Sequence, residues 1–438
     1  MLIRNVAMLV VPEQGECRVD EAQDIHIHDD LITAITPTAQ TPTGEEVIDG
    51  TGLIAVPGLI NSHTHSPMVM MRGAAEDLSI EDWFNQRIWP MEVNLTPERV
   101  RVGARLACAE MLLAGVTTFV DHYFHADEIA AAAIESGIRA DLAPTYFSSA
   151  GPDGINAAID TTRELSRLHP RITASLGPHA TYTVADDDLE RTADIARAEG
   201  FRIHLHAAET DDQTQASLDN HGVTPIQVLE RTGVLDAGAL IAHGCGIRDT
   251  DLPILEQYRT TIASCPKVYL KLAMGEVTPI KGLRSVGVHV GIGTDGAAVH
   301  NTLDVWEAIR MVALTQKQRE HDAEWMTLSE TLRLATRGSA AAAGLENQIG
   351  VVEPGRQADI ALLDLSAPHN QPVHDPRAAL VYSVRASDVV TVLVAGKVVV
   401  RDHHLTTMDL PEVLDDARSL AGTLVDLSKG GAIQHYAP

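Results

Sequence analysis

The spacing of apolar residues along this chain changes twice. From Leu2 to about Val56 they fall in short β-type runs, Val6 to Val11, Ile25 to Ile35 and Glu46 to Val56, around turn residues at Asp29-Asp30 and Asp49-Gly50. This pattern, without helical periodicity, predicts strands. The far end is similar: Ala358 to Leu363 follows the turn Glu353-Pro-Gly-Arg356, and Val389 to Val400 folds back at Ala395-Gly396. Two such distant segments can pair into one small domain to which both chain ends contribute.

Between them the pattern becomes strand, loop, helix, repeated. The apolar strand candidates are Leu53–Ile60, Gly115–Val120, Arg139–Tyr146, Ile172–Leu176, Arg202–Leu205, Ala239–Ala242, Thr260–Ser264 and Val288–Ile292. Helix signals lie between most of them. Thr96 before Pro97 reads as an N-cap with proline at the first helical position, and Thr327 with Glu330 as a capping box before a helix running toward Gly344. Glu128 to Ser136 and Leu189 to Glu199 read as helices closed by Gly137 and Gly200. Alternating β and α of this length argues for parallel strands, and eight of them for a closed (β/α)8 barrel. The expected architecture is α/β: a TIM-like barrel over residues 57–351, a small discontinuous β-sandwich domain from 1–56 and 352–410, and a C-terminal helix and tail over 411–438.

Composition narrows the function more than the fold. A formal net charge of -27 repels polyanions such as nucleic acid or anionic lipid and suits a neutral or cationic small molecule. The four cysteines, Cys17, Cys108, Cys245 and Cys265, form no CxxC pair, against a disulfide scaffold or a cysteine-based zinc site. The run Met1 to Val11 is shorter than a signal core and lacks a small-residue cleavage site. A soluble, cytoplasmic protein with a small-molecule substrate is expected, with no nucleic acid or membrane partner, and as a homo-oligomer.

Polar residues collect just after the strand candidates: His63 and His65, Asp121 and His122, His179 after Pro178, His206 with Glu209, His243, and Asp295. In a barrel all of these meet at the C-terminal face, where barrel enzymes keep their active sites. His63 and His65, two apart on a strand end, project to one side and can bind one ion, and His206 and Asp295 complete a three-histidine, one-carboxylate set. A divalent ion held this way lowers the pKa of its water from 15.7 toward about 7. Asp295 can both bind the metal and accept the water's proton, His243 can hold the hydroxide, and Glu209 suits a proton shuttle to a ring nitrogen or leaving group. His179 suits a donor to the substrate. Asp121, His122 and His125 are weaker candidates, and His204 is left out of the metal set because no further acidic ligand accompanies it.

With these residues in hand the chain resembles the amidohydrolase superfamily, in the branch of metal-dependent deaminases and chlorohydrolases. The likeness runs over nearly the whole length and rests on Pro57-Gly-Leu-Ile-Asn-Ser-His-Thr-His-Ser-Pro-Met68, Arg72-Gly-Ala-Ala-Glu-Asp-Leu78, Gly177-Pro-His179, His204-Leu-His-Ala-Ala-Glu-Thr210, Ala242-His243 and Gly293-Thr-Asp-Gly-Ala-Ala298. These strings look most like methylthioadenosine/S-adenosylhomocysteine deaminases. The resemblance implies one metal ion on His63, His65, His206 and Asp295, ring protonation by Glu209, assistance to the hydroxide by His243 and a purine contact from His179. It further implies that Glu92, in Trp89-Pro-Met-Glu92, meets ribose hydroxyls and that Trp83 lies near it. A His₃Asp site takes zinc, with iron or manganese as alternatives.

The chain also departs from that pattern. Where those deaminases usually carry arginines for the amino-acid end of S-adenosylhomocysteine, Pro144-Thr145 and Gly151-Pro-Asp-Gly-Ile155 stand here. Tyr269 and His300 replace residues common in the relatives and are expected to reshape the substrate pocket. The reading is a hydrolytic deaminase of an amino-substituted N-heterocycle, acting through a metal-activated hydroxide, with adenosine-type nucleosides such as methylthioadenosine preferred. Alternatives are the same machinery on a pterin, a guanine-like base or an s-triazine, and a catalytically silent barrel that binds a ligand.

Overall fold

The computed structural model describes residues 1–38 and 46–437, so residues 39–45 of the expected β domain and residue 438 of the tail lie outside the described residues. The N-terminal strands are β1 (Leu2–Val10), β2 (Arg18–His28), β3 (Leu31–Pro37), β4 (Val47–Asp49) and β5 (Leu53–Pro57). The middle of the chain supplies β6 (Leu59–Thr64), β7 (Val116–Tyr123), β8 (Arg139–Tyr146), β9 (Ile172–Ala174), β10 (Gly177–Pro178), β11 (Ile203–Ala207), β12 (Ala239–His243), β13 (Thr261–Ser264) and β14 (His289–Ile292). The far end adds β15 (Ile360–Asp364), β16 (Val389–Val394), β17 (Lys397–Arg401) and β18 (His404–Leu405).

Both chain ends meet in one nine-stranded sheet of order β18-β17-β16-β15-β5-β1-β2-β3, with β4 on β1. The join is the antiparallel pair β5 and β15, in which Ala55 faces Leu362. Alternate residues such as Ile3, Ile25, Ile32, Ala55 and Leu362 pack into a core of their own. The strands bond as one continuous sheet, which bends back on itself where Leu31 of β3 bridges Gln357 just before β15.

The candidate strand Leu53–Ile60 divides at Pro57-Gly58, and the break carries the chain from this sheet into the next. A side chain at Gly58 would sit 2.3 Å from the Thr117 side chain, so only glycine allows β6 to approach β7 so closely. Strands β6, β7, β8 and β10, with β9 beside β8, form one parallel sheet, and β11 to β14 form another. All eight residues of β7 and all five of β11 are buried, as parallel strands covered on both faces require. Parallel bridges Leu176 to Ile203 and Ala180 to His206 connect the two sheets on one side. On the other, the amides of Thr294 and Asp295 donate to His63 O at 3.2 and 2.9 Å.

The helices begin and end where local chemistry directs them. Thr96 accepts from Arg99 N at the start of Pro97–Leu113, and the box of Thr327 with Glu330 is closed in both directions. Gly137 and Gly200, at φ 88° and 76°, end Ala126–Ser136 and Asp186–Glu199 in the left-handed conformation that favours glycine. The buried ion pair Arg139 to Asp359, 3.2 Å, ties β8 to the segment before β15. The C-terminal helix Leu410–Leu424 lies against Pro97–Leu113, with Asp416 2.9 Å from Arg105, and the tail beyond it runs to a buried Tyr436. No helix among the described residues is long and apolar enough to cross a membrane.

Candidate active site

His63, His65, His206, His243 and Asp295 converge at the C-terminal ends of β6, β11, β12 and β14. One nitrogen from each of His63, His65 and His206 lies within 4.8 Å of the others, and the ligand atoms of His63, His243 and Asp295 form a second such group. The opposite ring nitrogens are already engaged. His65 Nδ1 donates to His122 O at 2.6 Å and His206 Nδ1 to His179 O at 2.9 Å, which leaves the Nε2 lone pairs facing inward. His63 Nδ1 is 2.9 Å from His204 Nε2, while His63 Nε2 is buried with no hydrogen-bond partner. Asp295 Oδ1 sits 3.2 Å from His65 Nε2 and accepts from Gly296 N at 2.6 Å.

The electrostatics call for a cation among these groups. Burial and then the neighbouring histidines hold His63 well below the ordinary range, and burial does the same to His206. Burial opposes charge on His65 too, but the hydrogen bond and charge of Asp295 outweigh it and push the imidazole up to about 9. Asp295 shifts down in return, its burial outweighed by His65. A divalent metal ion that displaces the His65 proton would meet a carboxylate and three inward lone pairs, that of His63 buried and unpartnered, and this is the donor set such an ion satisfies.

The backbone is strained where it presents these groups. Ala208, His243 and Asp295 have φ of 46°, 74° and 62°. Non-glycine residues in that region cost about 1–3 kcal/mol each, and such strain gathers at functional sites. Thr278 Oγ1 donates to His243 O at 2.8 Å and steadies one of these turns.

Around the cluster opens a cleft lined by His65, Trp83, Glu92, His122, His179, His206, Glu209, His243 and Asp295, with aromatic walls from Phe84, Trp89, Tyr123, Phe147 and Tyr182. Among the described residues none of the lining side chains is a lysine or arginine. Glu209 is buried beside the cluster. Its Oε2 accepts from Gln213 Nε2 at 3.0 Å and from Tyr182 OH at 3.4 Å, and Oε1 lies 3.9 Å from His243 Nε2. His243 Nε2 lies 3.8 Å from Asp295 Oδ2, so one imidazole faces both acids. Glu92 accepts from Tyr123 OH at 2.7 Å, yet burial outweighs that bond and pushes its carboxyl up to about 7. His179 is held by Thr183 Oγ1 at 2.9 Å and lowered by burial to about 3.

Two expected pocket residues lie elsewhere. Tyr269 is buried behind His243, where its hydroxyl accepts from Cys265 N at 2.7 Å. His300 is buried beside Thr302, 3.3 Å from its hydroxyl. Their neighbours Val268 and Val299 face the cleft instead. Of the weaker candidates, His122 lines the cleft, Asp121 accepts from Ser66 N at 2.7 Å, and His125 is exposed. Tyr123, Tyr182, Gln213 and Tyr436 belong to the site without having been read from the sequence.

Comparison with known proteins gives a consistent set of relatives. A family model described as the amidohydrolase family matches residues 54–399. A 5-methylthioadenosine/S-adenosylhomocysteine deaminase of Pelotomaculum thermopropionicum is 37% identical over 432 residues, covering 97% of this chain and 99% of its own. One from Natronomonas pharaonis is 38% identical, covering 90% of this chain and 93% of its own. Among solved structures, an adenosine deaminase from Xanthomonas campestris with bound zinc superposes with TM-score 0.91 at 32% identity, covering 97% of this chain and 98% of that one. The atrazine chlorohydrolase of Arthrobacter aurescens, complexed with zinc, superposes with TM-score 0.87 at 26% identity, covering 96% and 99%.

Proposed function

The chain belongs to the amidohydrolase family and is a hydrolytic enzyme of C–N bonds, and from that premise we propose that it deaminates adenosine-type nucleosides, methylthioadenosine among them. The observation that carries this reading is one cleft in which the histidine–aspartate cluster and Glu209 share the space with a second buried acid, Glu92. The cluster and Glu209 suit hydrolysis of an aromatic amidine, and Glu92 suits a ribose diol, whose two hydroxyls a carboxylate can accept together. No lysine or arginine among the described residues lines the cleft, which argues against a substrate whose carboxylate must be met there, so S-adenosylhomocysteine is read as the poorer substrate.

His63, His65 and His206 through Nε2, with Asp295, are the residues that would hold a divalent ion, zinc by analogy with the zinc-bound relatives. Such an ion lowers the pKa of water toward about 7 and so supplies a nucleophile at neutral pH. Asp295 accepts the proton of the attacking water. His243, facing both Asp295 and Glu209, hydrogen-bonds the oxygen as it adds to the ring carbon. Glu209 gives its proton to the adjacent ring nitrogen, so the ring does not carry negative charge as the C–O bond forms. The proton taken from water then passes to the amino group, the C–N bond breaks and ammonia leaves, and the proton left on the added oxygen returns to Glu209 as the ring carbonyl forms.

The same reading treats β6 to β14 as the staves of a closed (β/α)8 barrel, with β9 and β10 as one interrupted stave. The bridges to His206 and Ile203 and the bonds to His63 O support closure on both sides. The sheet from 1–56 and 352–410 is then the companion domain. A second reading, the same machinery on a ring without ribose, is favoured by the likeness to the atrazine chlorohydrolase. The two separate on ammonia release across a panel of nucleosides, free bases and amino-triazines. Turnover of nucleosides that falls in Glu92→Ala supports the first, and turnover of free bases that survives it supports the second.

A further inference from the structure

The tail up to Tyr436 packs behind the wall of the cleft. Tyr436 is only 3% exposed, its ring stacks on Phe84 at 5.1 Å and 12°, and it meets Tyr182 edge-on at 5.5 Å. Its backbone is held in both directions by Asn85, whose Oδ1 accepts from Tyr436 N at 2.8 Å and whose Nδ2 donates to Tyr436 O at 3.1 Å. Three residues earlier, Ile433 N donates to Trp89 O at 3.2 Å. Phe84, Trp89 and Tyr182 all line the cleft.

The Tyr436 hydroxyl also reaches toward Glu209. Gln213 Nε2 donates to Tyr436 OH at 3.1 Å and to Glu209 Oε2 at 3.0 Å, while Gln213 Oε1 accepts from Glu209 N at 3.1 Å. Both amide hydrogens of Gln213 are thereby used. A flipped amide would set its carbonyl oxygen against Glu209 Oε2 and its NH2 against Glu209 N, so Glu209 itself fixes the orientation in which Gln213 donates, and the Tyr436 oxygen, as the second acceptor of that NH2, holds the amide in place.

We propose that Tyr436 is a positioning residue of the active site: it sets the Glu209 carboxylate through the Gln213 amide and backs the aromatic wall of Phe84 and Tyr182. This rests on the deaminase reading of Glu209. The tail therefore contributes to turnover as well as to stability, although Tyr436 and Glu209 lie 227 positions apart in the chain.

The test is a double-mutant cycle of Tyr436→Phe and Gln213→Ala in the full-length, metal-loaded protein. Tyr436→Phe keeps the ring and its stacking and removes one hydrogen bond, so kcat falls about threefold to tenfold while KM stays within about twofold. In the Gln213→Ala background the same change has no further effect, because the path to Glu209 is already broken. Tyr436→Ala raises KM as well, since the wall loses its backing. Unchanged kcat in Tyr436→Phe, or losses that multiply in the double variant, overturns the proposal. Rates are read on methylthioadenosine, or on the best ring of the amino-heterocycle panel if nucleosides are silent. The nucleoside reading can then fail while the role of Tyr436 is still decided.

Discussion

Replacing Glu92 with glutamine should make the protein more stable and a poorer nucleoside enzyme, with a pH dependence set by burial. The carboxyl rises from its ordinary 4.5 to about 7 because burial disfavours its charge, and the Tyr123 hydrogen bond recovers only part of that cost. The rise corresponds to about 3 kcal/mol against the ionised form. The folded pKa is above the unfolded one, so the favourable contribution is complete below about pH 4.5 and is lost as pH rises through about 7. Glutamine does not titrate, and Tyr123 can still donate to its carbonyl oxygen. The variant and the wild type should be within about 1 kcal/mol at pH 5, and the variant should lead by about 2–3 kcal/mol at pH 8. Urea unfolding of the metal-free proteins at several pH values measures the difference. In the metal-loaded forms KM for nucleosides should rise about tenfold or more, as one charge-assisted contact to the diol is weakened. A lead that does not grow with pH, or a variant less stable than the wild type at pH 8, would refute the assignment of a buried acid kept for substrate.

Three further outcomes follow from the geometry. Glu209→Gln should keep its metal and lose about 10²- to 10⁴-fold in kcat, by metal analysis and steady-state kinetics, because the amide has no acidic proton to transfer; a near-normal rate removes Glu209 from the mechanism. His206→Ala or Asp295→Ala should lose both metal and turnover, and chelation of the wild type should lower its melting temperature as well as its activity, since the ion binds only the folded arrangement. Asp359→Ala should destabilise the fold by about 3–5 kcal/mol in denaturant unfolding, because Arg139, 3% exposed at its side chain, is left as an uncompensated buried charge; a change below about 1 kcal/mol would show that the pair does not tie β8 to the segment before β15.

The residues at strand ends are legible because a parallel strand delivers whatever follows it to one face, so His63, His65, His206, Glu209, His243 and Asp295 group together from the sequence pattern. The helix caps at Thr96 and Thr327 were legible because capping is a local matter of three or four residues. Tyr269 and His300 show where this kind of reading stops. Each lies in a short helix, Pro266–Lys271 and Ala297–His300, where one step along the chain turns the side chain by about 100°. The departures from the relatives lay close to the pocket, but the side chains that face it are Val268 and Val299. The raised carboxyl of Glu92 depends on burial by residues distant in sequence, and the docking of Tyr436 depends on where the tail goes after Leu424; neither leaves a local pattern. The break at Pro57-Gly58 was hidden for a related reason, since its cause is the nearness of Thr117 in space.

The most direct test of the central claim is ammonia release from methylthioadenosine by the zinc-loaded protein, followed together with the change of the adenine chromophore to that of hypoxanthine. The account predicts one ammonia for each ring converted, with turnover lost on chelation and restored by zinc. Silence on methylthioadenosine and every other purine nucleoside, with the metal bound, would contradict it.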